Sequence, residues 1–138
     1  MKPILFSILL AALISCSGSK KSTATTNPLN GTWITTKMTM AGMELPEAAV
    51  KNQKLVISDS NYTYIAESVD KGVVKYNGNK MDIYGRDGVN AGKHFTAIYK
   101  MENGDLVICY NLTGDSYPES FETSREKPMI FTAVFKKE

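Results

Sequence analysis

The sequence predicts an all-β domain, an antiparallel meander of about eight strands that closes into a small barrel and contains one short helix at most. From residue 29 onward, short segments rich in Val, Ile, Thr, Tyr and Phe alternate with clusters of Gly, Asn and Asp. Such spacing is typical of many short strands joined by tight turns. The alternative is a two-sheet sandwich, and we favour the barrel because closure removes the exposed edges of a flat meander.

The N-terminal 15 residues are predicted to be a signal peptide. A lysine at the start precedes an apolar segment over residues 4–14, which is shorter than the roughly 18–20 residues that a helix needs to span a bilayer. Leu13, Ser15 and Cys16 then resemble the lipobox of bacterial lipoproteins. The resemblance implies diacylglycerol attachment to Cys16 and cleavage before it; an ordinary secretory signal with a chance cysteine is the alternative.

Lipidation of Cys16 predicts a membrane partner and a cellular location. Two or more acyl chains are needed for a stable anchor, so the chain would be held at a membrane through its lipid. Ser17 is not acidic and no acidic tract follows it, which resembles outer-membrane sorting and favours the periplasmic leaflet over surface display. We therefore expect an outer-membrane lipoprotein of a bacterial cell envelope, facing the periplasm.

Residues 16–28 are predicted to form the lipidated cysteine and a flexible tether. Residues 17–27 are almost all small or polar, so they cannot bury enough apolar surface to offset the entropy lost on ordering. The barrel domain is predicted over residues 29–138.

The strands and turns of the domain follow from local signals. Asn-Gly dipeptides at 77–78 and 103–104 predict type I′ hairpin turns, because both residues tolerate positive φ. Residues 46–51 are the helical candidate, since proline suits the first helical position and Glu47 the positive helix end. Strands are expected near residues 31–40, 53–58, 61–68, 72–77, 79–85, 94–102, 105–111, 118–123 and 129–136.

Three of these strands carry apolar side chains on both faces. In residues 94–101, 105–111 and 129–136, alternate residues form one apolar face, while the opposite face also carries Ile, Val or Cys. Since a strand with one wet face shows clean alternation, we expect some of these strands to be covered on both sides.

Gly31 and Trp33 open the first strand as a Gly-x-Trp motif. This motif resembles the signature of lipocalins and the wider calycin group. In that group the tryptophan plugs the closed end of the barrel and a basic residue from the far end of the chain lies over it. The resemblance implies a structural role for Gly31 and Trp33 in a lipocalin-like barrel.

A longer series of motifs occurs in one order along the domain, at residues 31–33, 41–46, 98–99, 104–110, 118–121 and 131–137. The series resembles a family of uncharacterised bacterial lipocalin-like domains of the planctomycete type, often secreted or lipid-anchored. Tyr117 departs from the pattern, because the family usually has arginine before the Pro-x-x-Phe stretch. The family has no assigned activity, so this resemblance concerns the fold.

Composition argues against several functional classes. Sixteen basic and 14 acidic residues leave a net charge of +2, whereas a nucleic-acid partner would require a clustered basic face. One histidine and two cysteines do not fit a zinc finger or a disulfide scaffold. The acidic residues form no calcium-loop spacing. We expect no nucleic-acid partner, no metal and no cofactor.

The leading functional prediction is binding of a small apolar or amphipathic molecule in the open end of the barrel, without catalysis. A barrel of about eight strands is either just filled by its own side chains or holds one small ligand. Tyrosine lines cavities well and methionine adapts to irregular space. The candidate ligand-binding residues are Tyr62, Tyr64, Tyr99, Met101 and Tyr110.

The alternative is a protein-binding envelope module, such as an inhibitor, an immunity-like protein or a scaffold lipoprotein. It would act through a loop rim formed by residues 87–94 and 111–117, with Arg86, Lys93 and His94 as candidate contacts.

An enzyme, of hydrolase type, is the least favoured hypothesis. His94 is the sole histidine, and acid–base work by it would require an acidic partner in a cleft. Cys109 is interpreted as a buried, inert strand cysteine in preference to a reactive thiol.

Overall fold

The computed structural model describes residues 25–138. The predicted signal peptide, the lipid attachment at Cys16 and most of the predicted tether lie outside the described residues. In the part of the chain that is described, helices long and apolar enough to span a bilayer are absent.

The domain is built from nine strands and a single helical turn. The predicted short helix is present as four residues, and only Val50 among them is buried. The elements are β1 (Gly31–Met40), β2 (Met43–Glu44), α1 (Glu47–Val50), β3 (Lys54–Ser58), β4 (Asn61–Ile65), β5 (Val69–Asn77), β6 (Lys80–Asp87), β7 (His94–Glu102), β8 (Asp105–Asn111) and β9 (Ile130–Lys137).

Eight of the strands close into an antiparallel barrel. From β3 onward each strand pairs with the next in sequence, and β1 pairs with both β3 and β9. The short β2 folds back onto the end of β1, where Met43 pairs with Met40. The predicted all-β, lipocalin-like barrel is confirmed, and the pairing of β1 with β9 excludes a sandwich of two separate sheets.

The two Asn-Gly turns differ in their geometry. Asn103 and Gly104 have φ of 52° and 85°, as a type I′ turn requires. Between β5 and β6, by contrast, Asn77 pairs with Lys80 in the ladder, so the turn residues are Gly78 and Asn79. Gly78 alone has positive φ there, at 59°, which fits a type II′ turn with glycine first. The type I′ prediction at 77–78 was therefore wrong in turn type and, by one residue, in position.

The strand predicted at 118–123 is absent from the structure. Residues 112–129 instead form a non-strand segment, which we call the strap, lying over the outer face of β7, β8 and β9. Thr132 Oγ1 donates to the Phe121 carbonyl at 2.7 Å, and Thr96 Oγ1 donates to the Ser116 carbonyl at 2.5 Å. A strand could not form here because β8 and β9 already pair with each other and leave no free edge.

The strap explains the strands that are apolar on both faces. Ile98 and Cys109 point away from the barrel interior, yet they are 7% and 0% exposed. They pair with each other, and Cys109 also pairs with Thr132, which bonds to the strap. The expected double coverage is thus supplied by an irregular segment.

Trp33 closes one end of the barrel. Its ring is 2% exposed, and its Nε1–H donates to the Leu29 carbonyl at 2.8 Å. Lys137, in the final strand, places its Nζ 5.4 Å from the ring centroid. This is the arrangement that the Gly-x-Trp resemblance implies. The opposite end, which carries α1 and the β6–β7 loop, is the candidate ligand entrance.

Candidate functional site

The interior of the barrel contains an apolar cavity of about 170 Å³. Every one of the eight barrel strands contributes at least one side chain to its wall, and the β6–β7 loop adds Asn90. An engineered cavity of roughly 150 Å³ is large enough to hold benzene. The space therefore suits a single aromatic ring or a short alkyl chain.

Four tyrosines contribute hydroxyl groups to the cavity wall. Tyr62, Tyr64, Tyr76 and Tyr110 line the wall, where each phenol is flanked by apolar side chains. Burial raises the pKa of all four hydroxyls, and that of Tyr110 most strongly. All four phenols consequently remain neutral around pH 7 and can donate hydrogen bonds.

The tyrosine hydroxyls differ in how well they are satisfied. Tyr64 donates to Gln53 Oε1 at 2.5 Å, close to the helical turn. The Tyr76 hydroxyl is buried without a hydrogen-bond partner among the described residues. Tyr110 stacks its ring on Phe131, with centroids 4.6 Å apart and planes 13° apart. The wall thus offers flat aromatic faces and one buried hydroxyl without a protein partner.

Asp70 places a carboxylate in this otherwise apolar wall. It is 5% exposed and pairs with Tyr64 across the β4–β5 ladder. The Asn90 backbone N–H donates to Asp70 Oδ1 at 3.0 Å, which holds the β6–β7 loop inward over this end of the barrel. Gly85 permits the approach, because a Cβ there would lie 1.8 Å from the Asn90 carbonyl oxygen.

The sequence-based ligand candidates divide into two groups. Tyr62, Tyr64 and Tyr110 lie together in the cavity wall. Tyr99 and Met101 lie outside it, towards the end that Trp33 closes. Tyr99 packs edge-on against Tyr76 and donates to the Gly78 carbonyl at 3.2 Å, while Met101 is 49% exposed.

The sequence analysis missed two polar residues of the cavity, Asp70 and Asn90. Asp70 fell between the strands predicted near 61–68 and 72–77, whereas the structure has it inside β5. The signal that could have shown this is the alternation of Asp70 with Val74 and Tyr76, which all line the cavity. Asn90 carried no comparable signal, because its position depends on how the loop folds back.

The loop-rim candidates lie on the outer surface and not in the cavity. Arg86 and Lys93 are exposed, with the Arg86 guanidinium 6.0 Å from the Tyr84 ring centroid. His94 stacks on that same ring, with centroids 4.6 Å apart. Its Nε2 lies 2.9 Å from Asp82 Oδ1, so the acidic neighbour of the histidine is on β6.

Asp82 connects the histidine to the strap. Its other oxygen, Oδ2, accepts a hydrogen bond from the Tyr117 hydroxyl at 2.5 Å. This bond, helped by His94, lowers the pKa of Asp82. The array holds an acid–base pair but no nucleophile in contact with it, and Cys109 is fully buried with its thiol pKa raised by burial. Across residues 25–138, no cluster of His, Cys, Asp or Glu is suited to a metal ion.

Comparison with known proteins adds weak structural similarity. No protein-family model matches the chain, and no curated protein matches it. Among solved structures, a point mutant of the fluorescent protein UnaG is similar with a TM-score of 0.40 and 14% sequence identity, over 80% of this chain and 96% of that chain. The resemblance to planctomycete-type domains stays a prediction, and the barrel assignment depends on the strand pairing described above.

Proposed function

We propose that this chain is a lipid-anchored protein of the bacterial cell envelope that binds a small apolar or amphipathic molecule inside its barrel, without catalysis. The observation that carries the proposal is the cavity of about 170 Å³ bounded by all eight barrel strands. A barrel of this strand number is otherwise just filled by its own side chains.

Burial of apolar surface would supply the binding energy. A ligand that loses about 200 Å² of apolar surface gains roughly 5 kcal/mol, and part of that gain offsets the cost of association. The phenols and Asp70 would then orient the polar end of the ligand. Since Tyr62, Tyr64 and Tyr110 face the same space, they are the residues we propose to contact it.

A variant that fills the cavity provides the test. Ala133 is 0% exposed and lines the cavity, so Ala133→Phe places a ring in the proposed ligand space. Ala48→Phe, at an exposed site on α1, is the matched control. Both proteins and the parent are purified from the host envelope, and bound small molecules are detected by native mass spectrometry.

We expect a bound molecule in the parent and the control and none in Ala133→Phe. Far-UV circular dichroism establishes that the variant remains a β protein. Retention of the molecule by a folded Ala133→Phe protein, or a parent that carries nothing and binds no small apolar probe, contradicts the proposal.

The lipid anchor and the outer-membrane location have their own support and test. They are proposed from the motif at residues 13–16 and from Ser17. Labelled palmitate should be incorporated into the chain and not into the Cys16→Ser variant. Fractionation of the envelope should then place the labelled protein with the outer membrane, and protease resistance in intact cells should indicate the periplasmic side.

The second candidate function is a protein-binding module that uses the loop rim. The observation favouring it is a pair of exposed apolar side chains, Val69 at 47% and Val89 at 65% exposure. The backbone next to Val89 approaches Val69, because a Cβ on Gly88 would lie 2.4 Å from the Val69 carbonyl oxygen. Pull-down from envelope extract should then lose a partner with Val89→Asp, while the bound small molecule is retained.

A further inference from the structure

The wall of the cavity carries negative charge without a compensating positive charge. Among the described residues that line it, Asp70 is the one with an ordinarily charged side chain, and no Lys, Arg or His accompanies it. No salt bridge within residues 25–138 involves this carboxylate. A carboxylate that is 5% exposed is costly to bury unless it is well paired.

The protein satisfies only part of the hydrogen-bonding capacity of Asp70. A carboxylate offers about four acceptor sites, and the Asn90 N–H occupies one of them. The negative charge of Asp70 acts on a residue of the cavity wall: after burial, it is the second cause that raises the pKa of Tyr62. Acceptor capacity is therefore available at the mouth of the apolar space.

Aromatic rings flank the carboxylate on the neighbouring strand. Tyr64 pairs directly with Asp70, and Tyr62 pairs with Gly72, two residues further along β5. The Tyr62 ring lies so close to Gly72 that a Cβ there would be 2.7 Å from Cε1. A cation at Asp70 would thus lie close to tyrosine rings, whose faces attract positive charge.

We propose that the ligand is a cationic amphiphile, a primary amine bearing one aromatic ring or a short alkyl tail, with its ammonium group on Asp70. This inference rests on the proposed ligand-binding function. The ammonium donates charge-assisted hydrogen bonds to the carboxylate, and the tail fills the space between Met38, Val74 and Phe131. A ligand carboxylate or phosphate is repelled by Asp70 and finds no basic side chain in the described lining.

Three probes of one size distinguish these chemistries. Hexylamine, hexanol and hexanoate are titrated by calorimetry into the mature lipidated protein in phosphatidylcholine nanodiscs, with empty nanodiscs as the blank. We expect hexylamine to bind at least about tenfold more tightly than hexanol, and hexanoate to bind most weakly.

Two matched variants assign the preference to Asp70. Asp70→Asn keeps an oxygen for the Asn90 N–H, so it should reduce the amine preference to within about threefold while hexanol binding is retained. Asp87→Asn, an exposed carboxylate at the same end of the barrel, should leave the preference unchanged.

Each outcome of the titrations decides a different claim. If hexanol binds as tightly as hexylamine, if hexanoate binds best, or if a folded Asp70→Asn protein keeps the amine preference, the amine inference is wrong while ligand binding stands. If none of the three probes binds, both the inference and the proposed function in this size class are overturned. The comparison in the unmodified protein remains decisive even if Asp70→Asn does not fold.

Discussion

The Tyr117 hydroxyl donates to Asp82 Oδ2 at 2.5 Å and so joins the strap to β6 across 35 residues of sequence. The other carboxylate oxygen of Asp82 faces His94 Nε2 at 2.9 Å. The strap is therefore attached to β6 by a phenol–carboxylate hydrogen bond.

Removing that hydroxyl should release the carboxylate from its strongest partner. In Tyr117→Phe we expect the pKa of Asp82 to rise towards its ordinary value, because the Tyr117 bond is the main cause of its depression. NMR titration of the Asp82 carboxyl carbon measures the shift. Tyr99→Phe is the control, since the Tyr99 hydroxyl bonds the Gly78 carbonyl and not Asp82. An unchanged Asp82 titration in Tyr117→Phe would show that the bond does not form in solution.

The free energy of unfolding should decrease at acidic pH, because protonation of Asp82 removes the hydrogen bonds of its carboxylate. The folded-state pKa of Asp82 is lowered, so its contribution is present above the unfolded-state pKa and is lost as the pH falls through the folded-state pKa. Asp115 acts in the same direction, chiefly because Thr113 bonds to it. The urea midpoint should hold between pH 7 and about pH 5 and decline below about pH 4.

Asp82→Asn should make that decline shallower, because the asparagine does not titrate. Glu119→Gln, at an exposed site on the strap, should leave the slope as it is in the parent. Equal slopes in all three proteins would remove Asp82 from the explanation of acid sensitivity.

The strap should protect Cys109 from thiol reagents. The side chain is 0% exposed, and burial raises the pKa of its thiol, so reaction requires the strap to open. In a Cys16→Ser background, native labelling by an aromatic disulfide should be many times slower than labelling in urea. Adding Tyr117→Phe should accelerate the native rate, while adding Tyr99→Phe should not. Rapid labelling of the native parent protein is the result that would contradict coverage by the strap.

The barrel could be predicted from the sequence, whereas the strap could not, because its conformation depends on pairing between distant strands. Strands such as β7 and β8 are specified by their own alternation and by the Asn103-Gly104 turn between them. Residues 118–123 carry a weaker signal, with Phe121 beside a proline and two glutamates, and whether they form a strand also depends on a free edge elsewhere. The pairing of β8 with β9 removes that edge, and no local pattern reports it.

For the cavity too, local sequence patterns predicted some lining residues, whereas others depend on the register between strands. Tyr62 and Tyr64, two of the predicted ligand-binding residues, alternate along β4, and both line the cavity. Tyr99 satisfies the same alternation but lies nearer the closed end, because depth in the barrel is set by register between strands. Asp70 was missed because its pairing with Tyr64 overrides the turn preference of an aspartate close to a glycine.

The cation over Trp33 should make a small, measurable contribution to stability. Lys137→Met removes the charge 5.4 Å from the ring centroid and should cost about 0.5–1 kcal/mol in the free energy of unfolding. Lys136→Met, in the neighbouring exposed position, should cost less. Because Trp33 is the one tryptophan of the chain, its fluorescence reports both unfolding in urea and any change around the ring. Equal effects of the two substitutions would show that the contact contributes nothing specific.

Gly72, in the barrel wall, should not tolerate a methyl group. A Cβ at this position would lie 2.0 Å from the Tyr84 carbonyl oxygen, a backbone atom of the paired strand, and 2.7 Å from the Tyr62 ring. Overpacking of this kind typically costs about 1–3 kcal/mol, and a backbone clash places Gly72→Ala at or above the upper end. Gly78→Ala is the control: a Cβ there meets nothing within 4 Å, although its φ of 59° is unfavourable for alanine and should cost only about 1 kcal/mol. Urea unfolding of the two variants measures the difference, and a Gly72→Ala protein no less stable than Gly78→Ala would mean that β5 and β6 are not packed as closely as the structure shows.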